Sequence, residues 1–187
     1  MKTIFKNTAI LLVITVVAAV ALSFVYELTK EPIARAEQQA KVEAYQAVYT
    51  AASSFDDLAD SAALLTDYNA TLTGGTAVEE VYAAVSADGN KLGYVMAVTA
   101  KGYGGDVRIA LGIDTTGKVV GYAVLSHSET PGFGANMENA DVAAQFDGIT
   151  AADQLDGITG ATYTTNALKA ETQAAIDLVK QLEGGTV

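Results

Sequence analysis

The sequence has 187 residues, 50% of them hydrophobic, a length that suits one compact domain with accessory segments. It has no cysteine and one histidine, His127, which excludes disulfides, thiolate zinc sites, iron–sulfur clusters and thiol catalysis. It also disfavours a multi-histidine metal or haem centre, so any redox group should be organic. The formal net charge is −11. Setting aside Lys2 and Lys6 from the 11 basic residues leaves 9 against 22 acidic ones, a balance that excludes nucleic-acid binding.

The first segment of the chain predicts a membrane span. Residues 7–26 read NTAILLVITVVAAVALSFVY and carry no charge, about the length of helix that crosses ~30 Å of hydrocarbon. Lys2 and Lys6 precede this run, so we expect residues 1–6 to stay in the cytoplasm and the main domain to lie on the outer side of the cell membrane. A cleaved signal peptide is the alternative, because Ala19–Ala21 fits a small-residue cleavage site. Both interpretations export the domain that follows.

Residues 27–76 are predicted to form a helical connector and a loop. An alanine-rich amphipathic segment runs from Glu31 to about Thr50, and Pro32 suits the first position of a helix. Residues 51–76 are rich in alanine, serine, aspartate and threonine and end in TGG. We expect a loop there, with a short helix at most.

Downstream of this loop the hydrophobic period changes to two, which indicates strands joined by short turns such as Asp88-Gly89. The predicted strands are Val78–Ser86, Lys91–Ala100, Val107–Ile113 and Lys118–His127. A short helix is expected at residues 141–146, and an amphipathic helix from about Tyr163 to Leu182. The predicted fold class is α+β: an N-terminal transmembrane helix and an exported domain with an antiparallel sheet and flanking helices.

The segment DGITGATYTT, residues 156–165, comes directly before the last predicted helix. The first N–H groups of a helix lack internal partners and carry the positive end of the helix dipole, so a glycine-containing loop at this point can bind a phosphate. Thr159 and Thr162 are two of the four threonines that add hydroxyls. Ordinary capping by threonine explains the same pattern, and the residues alone leave both interpretations open.

Two other segments are rich in glycine. HSETPGFG, residues 127–134, contains the turn Pro131-Gly132, and Phe133 could lie against a flat ring or belong to the core. His127 has no second base or nucleophile partner in the sequence, so a structural role is favoured and we expect no catalytic residue and no metal site. GYGG, residues 102–105, indicates only a flexible hairpin loop.

Taken together and in this order, the three segments resemble the FMN-binding domain family over about residues 75–182. Residues 156–165 are similar to its flavinylation motif, Asp-Gly-x-Ser/Thr-Gly-Ala-Thr followed by Ser or Thr. With its N-terminal span, the chain also resembles the G-subunit family of Rnf complexes. These membrane complexes couple electron flow between ferredoxin and NAD to sodium-ion or proton movement. The resemblance implies that residues 77–187 form the FMN-binding domain.

The resemblance implies roles for the matching residues. The Thr162 hydroxyl would carry FMN through a phosphoester, and Thr159, Gly160 and Ala161 would wrap the phosphate. Asp156-Gly157 fits the part of the motif that a flavin transferase reads when it attaches FMN. The loop along the flavin would consist of Glu129, Thr130, Pro131, Gly132 and Phe133, the last standing where the family usually has leucine.

The function implied by the resemblance is that of a redox subunit of an ion-translocating oxidoreductase, with other, polytopic membrane subunits as partners and no substrate turnover of its own. The C subunit of a sodium-translocating NADH:quinone reductase and a free-standing membrane-anchored FMN electron carrier are alternatives with the same chemistry. A non-redox membrane-anchored binding module is an alternative of a different class, and it predicts a colourless domain without flavin mass.

Overall fold

The computed structural model describes residues 2–184, apart from some side chains of the N-terminal helix, and contains two compact units, Met1–Val42 and Glu43–Val187. Helix α1 is continuous over Lys2–Val48, and its segment Lys6–Ile33 is long and apolar enough to cross a membrane. Pro32 lies inside this helix, so its prediction as a first helical residue is wrong. Proline lacks an N–H, so the Leu28 carbonyl has no i+4 hydrogen-bond partner. The helix nevertheless continues to Val48.

The second unit is built on a five-stranded antiparallel meander in the order β1-β2-β3-β4-β5. The four predicted strands are confirmed within two residues at each end. A fifth strand and helix α2 occupy the region expected to be mostly loop. The short β1 has three exposed side chains out of four, so it shows no hydrophobic alternation. The bounds are β1 Ser54–Asp57, α2 Ser61–Asn69, β2 Ala77–Val85, β3 Lys91–Lys101, β4 Asp106–Asp114 and β5 Val119–Ser126.

Both faces of the central strands are covered, which explains why β3 is buried almost continuously instead of at alternate positions. One face packs against α4, Thr162–Leu182, in the larger core. The other face packs against the last turn of α1 within the second unit, where Val48 comes so close that Gly112 has no room for a side chain. A Cβ at Gly112 would lie 2.5 Å from the Val48 carbonyl oxygen.

The chain between β5 and α4 forms short helical segments. A 3-10 turn covers Gly134–Glu138, α3 covers Ala140–Ala143, and further 3-10 turns cover Ala144–Phe146 and Ala152–Gln154. The short helix predicted at residues 141–146 is thereby confirmed as α3 with the following turn. Loop 102–105 between β3 and β4, the segment after β5 and the start of α4 converge at one end of the domain, as the hydrogen bonds below show.

Candidate functional site

Helix α4 begins at Thr162 without a side-chain cap. Ala161 occupies the N-cap position, and the Thr165 amide donates the first hydrogen bond of the helix to the Ala161 carbonyl at 2.9 Å. Within the described part of the chain, the amides of Thr162, Tyr163 and Thr164 have no acceptor. Threonine capping is therefore the wrong interpretation of this helix start. The three amides are available to an anion.

The threonines around this helix start have different environments. The Thr165 hydroxyl accepts from the Ile158 amide at 2.9 Å and donates to the Ala161 carbonyl at 3.0 Å, which fastens the preceding loop to the helix. The Thr164 side chain is fully buried. Thr159 and Thr162 are exposed on either side of Gly160-Ala161. Of the four threonine hydroxyls in residues 156–165, these two are therefore accessible from solvent, and they flank the turn that Gly160 makes at φ +76°.

The Glu129 carboxylate joins three parts of the site. Its Oε1 accepts from the amides of Tyr103 at 2.8 Å and Gly104 at 2.9 Å, and its Oε2 accepts from the Thr164 hydroxyl at 2.7 Å. Burial acts to raise the pKa of Glu129, but the hydrogen bonds from Thr164, Gly104 and Tyr103 outweigh it and hold the pKa below the ordinary glutamate value. Glu129 is therefore an ionised side chain in a buried position.

Glycines make this enclosure of Glu129 possible. A Cβ at Gly102 would strike Glu129 Oε1, and one at Gly134 would strike Glu129 Oε2 and lie 2.5 Å from the Thr164 hydroxyl. A Cβ at Gly104 would strike the Ser128 carbonyl. The GYGG loop, for which the sequence indicated only flexibility, is thus fixed around a carboxylate.

His127 orients the same segment. Its Nδ1 accepts a hydrogen bond from the Glu129 amide at 3.0 Å, so the proton of the neutral ring resides on Nε2, which lies 3.1 Å from Glu138 Oε1. The ring does not line the cavity described next. This geometry supports the structural role favoured for His127.

A cavity of about 520 Å³ opens at the convergence of the three segments, within the size range of small-molecule sites. Its aromatic residues are Tyr103, Phe133 and Tyr163, which are 74%, 55% and 66% exposed. The ring centroids of Tyr103 and Tyr163 are 6.0 Å apart. The Phe133 ring packs beside Gly160, where an added Cβ would lie 3.1 Å from Phe133 Cδ1. Exposed rings around an open cavity offer flat apolar surfaces to a planar ligand.

The structure brings most of the expected residues to this cavity. Among the residues expected from the sequence, the cavity is lined by Glu129, Thr130, Phe133, Gly160, Ala161 and Thr162. Pro131, Gly132 and Thr159 are adjacent in sequence to these residues but outside the lining. The cavity is also lined by residues that the sequence reasoning missed: Tyr103, Gly134, Tyr163 and Thr164. The GYGG sequence before a strand was the available signal for Tyr103.

Among the side chains that the structure describes, there is no group of three or more histidine, cysteine, aspartate or glutamate residues that could hold a metal ion.

A second buried glutamate, Glu171, lies about two turns beyond Thr164 on α4. It is 0% exposed, and within residues 2–184 neither carboxyl oxygen has a hydrogen-bond partner. Burial raises the pKa of Glu171 well above its ordinary value; the Ala100 backbone offsets a part of this rise, and the charge of Glu79 adds to it.

Comparison with known families assigns the domain. The profile of the FMN-binding domain matches residues 102–177, a range that contains the whole cavity lining. This part of the chain is therefore similar to FMN-binding domains. The profile of the RnfG N-terminal region matches residues 1–48.

Two relatives are G subunits of redox complexes. The G subunit of the proton-translocating ferredoxin:NAD(+) oxidoreductase complex of Clostridium ljungdahlii is 32% identical over 109 residues, which are 52% of this chain and 59% of the relative. The chain thus spans about three fifths of that relative. The G subunit of the ion-translocating oxidoreductase complex of Methanosarcina acetivorans is 29% identical over 192 residues, 98% of each chain.

The crystal structure of the C subunit of the Na(+)-translocating NADH-quinone reductase from Parabacteroides distasonis is a more distant match. It is 20% identical, has a TM-score of 0.45, and covers 57% of this chain and 63% of that one. A likeness at this level carries no argument about function.

FMN is the ligand named by the matching profile, and the cavity residues suit its two chemical halves. The unpaired amides of Thr162, Tyr163 and Thr164 suit an anionic phosphate. The exposed rings of Tyr103 and Phe133 suit a flat isoalloxazine. The donor set and the cavity volume of about 520 Å³ therefore fit FMN.

Proposed function

We propose that this chain is an electron-transfer subunit of a membrane ion-translocating oxidoreductase complex of the Rnf type, and that it carries FMN on the Thr162 hydroxyl through a phosphoester. The supporting observation is an exposed Thr162 hydroxyl at an uncapped helix start, where three amides lack acceptors beside the cavity. The names of the relatives as G subunits support the type of complex.

When bound, FMN supplies one- and two-electron transfer. The task of the α4 amides is to hold the phosphate, with Thr159, Gly160 and Ala161 as the turn around it. Exposed helix amides contribute only ~0.3–1 kcal/mol per charge, and the chain has a net charge of −11, so reversible binding of an anion would be weak. A phosphoester on Thr162 removes dissociation as a limit.

The isoalloxazine ring would be positioned by residues of loop 102–105, of the loop after β5 and of the first turn of α4. Tyr103, Phe133 and Tyr163 are more than half exposed, so a planar group held against them stays near the surface, where a partner can exchange electrons with it. The segment from Thr130 to Gly132 continues the loop beside Phe133, with Gly132 at φ +80°. An electron carrier needs such positioning more than it needs acid–base groups, so we propose that the chain turns over no substrate by itself.

The partners that we propose are polytopic membrane subunits and, during maturation, a flavin transferase that reads Asp156 and Gly157. Both residues are exposed ahead of α4, as an enzyme that must reach the motif requires.

The proposed orientation places residues 1–6 in the cytoplasm and the FMN-binding domain outside, with residues 7–26 as the anchor. Because the sequence has no cysteine, single-cysteine variants give a direct test. In spheroplasts, an impermeant maleimide should label Asp88→Cys, in the exposed β2–β3 turn, but should label Lys6→Cys only after lysis. The reverse pattern would contradict the orientation.

The attachment site is tested by co-expression with a flavin transferase and ultraviolet fluorescence of the denatured chain on a gel. Wild type and Thr150→Val should fluoresce, and Thr162→Val should be dark. Thr150 is the control, because it is an exposed threonine outside the motif at residues 156–165. A Thr162→Val band as bright as wild type would show that the assignment to Thr162 is wrong.

A further inference from the structure

We propose that Glu129 is the positioning residue of this site: its carboxylate clamps loop 102–105 onto the first turn of α4, and its negative charge lowers the reduction potential of the flavin. This inference rests on the proposed function, since it concerns FMN in the cavity beside Thr162. It gives Glu129 a role that differs from direct contact with the ring.

The clamp follows from the number and origin of the hydrogen bonds. Two donors come from the β3–β4 loop and one comes from α4, 25 to 35 residues away from Glu129 in either direction along the chain. Tyr103 and Thr164 both line the cavity, so one carboxylate ties together two segments of its lining. The amides of Tyr103 and Gly104 have no other acceptor among the described residues.

The carboxylate is also held in a fixed position. Gly102 and Gly134 lie so close to its two oxygens that neither position has room for a Cβ, and the side chain is 6% exposed. All three neighbouring groups donate to it, an arrangement that suits an acceptor-only carboxylate.

The electrostatic consequence follows from like charges. Reduction adds negative charge to the occupant of the cavity, and Glu129 lines the same cavity with a permanent negative charge. In a partly desolvated site the repulsion is screened less than in water, so the reduced form is disfavoured. The α4 amides act in the opposite direction on the phosphate end, and Thr164 shields one oxygen of Glu129.

Two variants separate charge from geometry. Glu129→Gln removes the charge but keeps an oxygen for the two loop amides, and its NH₂ can donate to the Thr164 hydroxyl, which can also accept. Glu129→Asp keeps the charge but is one methylene too short to span both sides. The inference therefore predicts opposite patterns: Glu129→Gln should load flavin normally and shift the potential, whereas Glu129→Asp should load poorly and leave the potential unchanged.

The experiment uses the full chain, loaded with flavin and purified in detergent. Flavin content is measured by mass, and the midpoint potential by spectroelectrochemical titration. Glu129→Gln should shift the midpoint to a more positive value than wild type. The matched control is Glu183→Gln, which removes a partner of Lys91 just beyond the far end of α4, about 30 Å from Thr162, and should not shift it.

Two results would overturn the inference: a Glu129→Gln midpoint equal to that of wild type, or failure of Glu129→Gln to load when Glu129→Asp loads. Failure of both variants to load would also count against the clamp, because the glutamine should preserve it. A wild-type chain without flavin mass would instead contradict the proposed function, so the two failures are distinguishable.

Discussion

Glu129 and Glu171 are both buried, Glu129 beside the first turn of α4 and Glu171 within this helix, yet their pKa values are shifted in opposite directions. Glu129 accepts three hydrogen bonds and stays ionised, with its pKa lowered. Neither oxygen of Glu171 makes a hydrogen bond of good geometry in the described chain, the Ala100 backbone offsets only part of the burial, and the pKa is raised. The difference shows that donors, and not burial alone, decide whether a buried carboxyl keeps its charge.

The surroundings of Glu129 and Glu171 also differ in how closely they are packed. The end of α4 near Glu129 has glycines, unpaired amides and exposed rings. It is open and lines a cavity. The middle of α4 near Glu171 is a closed hydrophobic core with Ala175, Ile176 and Leu178 fully buried. A polar group is therefore useful in the first region and costly in the second.

The largest effect is expected from Glu129→Leu. It leaves the amides of Tyr103 and Gly104 and the Thr164 hydroxyl without an acceptor, so we expect the free energy of unfolding to fall by about 4 kcal/mol. Urea unfolding of the full chain, followed by far-ultraviolet circular dichroism, measures the change. A loss below about 1 kcal/mol would mean that these hydrogen bonds contribute little.

The next largest effect is expected from Gly134→Ala. The new Cβ would strike Glu129 Oε2 and the Thr164 hydroxyl, so we expect a loss of about 3 kcal/mol and reduced flavin loading. Gly157→Ala is the matched control in the same site region, because its Cβ would meet only Thr165 Cγ2 at 3.9 Å. Equal behaviour of the two variants in the unfolding assay would contradict the tight enclosure of Glu129.

Glu171→Leu should have the opposite sign from Glu129→Leu. Replacing an unpartnered buried carboxyl by an apolar side chain of similar volume should raise the free energy of unfolding by about 2 kcal/mol. Glu171→Gln is the control: it keeps a polar group in the buried position, so the free energy of unfolding should not rise as it does for Glu171→Leu. If Glu171→Leu destabilises the domain in the same urea assay, Glu171 has a partner that compensates its burial.

The smallest effect is in the pH dependence of stability. Because folding raises the pKa of Glu171, its contribution is fully present below the unfolded value of about 4.3 and is lost as pH rises towards the folded value. One such group gives a slope of about 1.4 kcal/mol per pH unit in that window. Glu129, whose pKa is lowered, contributes stability above the unfolded pKa and loses it as pH falls through the folded value.

Unfolding curves at pH 5 and pH 6 test this difference. Wild type should lose stability between these values relative to Glu171→Gln, which cannot ionise. Parallel behaviour of wild type and Glu171→Gln would show that Glu171 has an ordinary pKa.

Local patterns account for what the sequence predicted. Alternating apolar residues and the Asp88-Gly89 turn predicted β2–β5, and a single apolar stripe predicted α4. The helical stretch of α2 and the short β1 lacked such periodicity, and Pro32 was placed at a helix start because the run on each side of it was interpreted separately.

The candidate site was harder to predict for a different reason. The motif at residues 156–165 pointed to Thr162 through resemblance, but the contacts of Glu129 with Gly104 and Thr164 join residues 25 and 35 positions apart. The spacing of apolar residues along the sequence does not predict contacts between residues so far apart. The same limit hid the role of Tyr103 and left Glu171 indistinguishable from any other helical glutamate.

The central claim is that one oxygen atom, Thr162 Oγ1, carries FMN. The most direct measurement is fragmentation mass spectrometry of a digest cut before aspartate, which yields residues 156–176 with Thr159, Thr162, Thr164 and Thr165 in one peptide. The predicted result is the mass of FMN minus one water, with the fragments placing it on Thr162. An unmodified peptide from chain co-expressed with a flavin transferase, or an adduct on any other threonine of this peptide, including Thr172, would contradict the account.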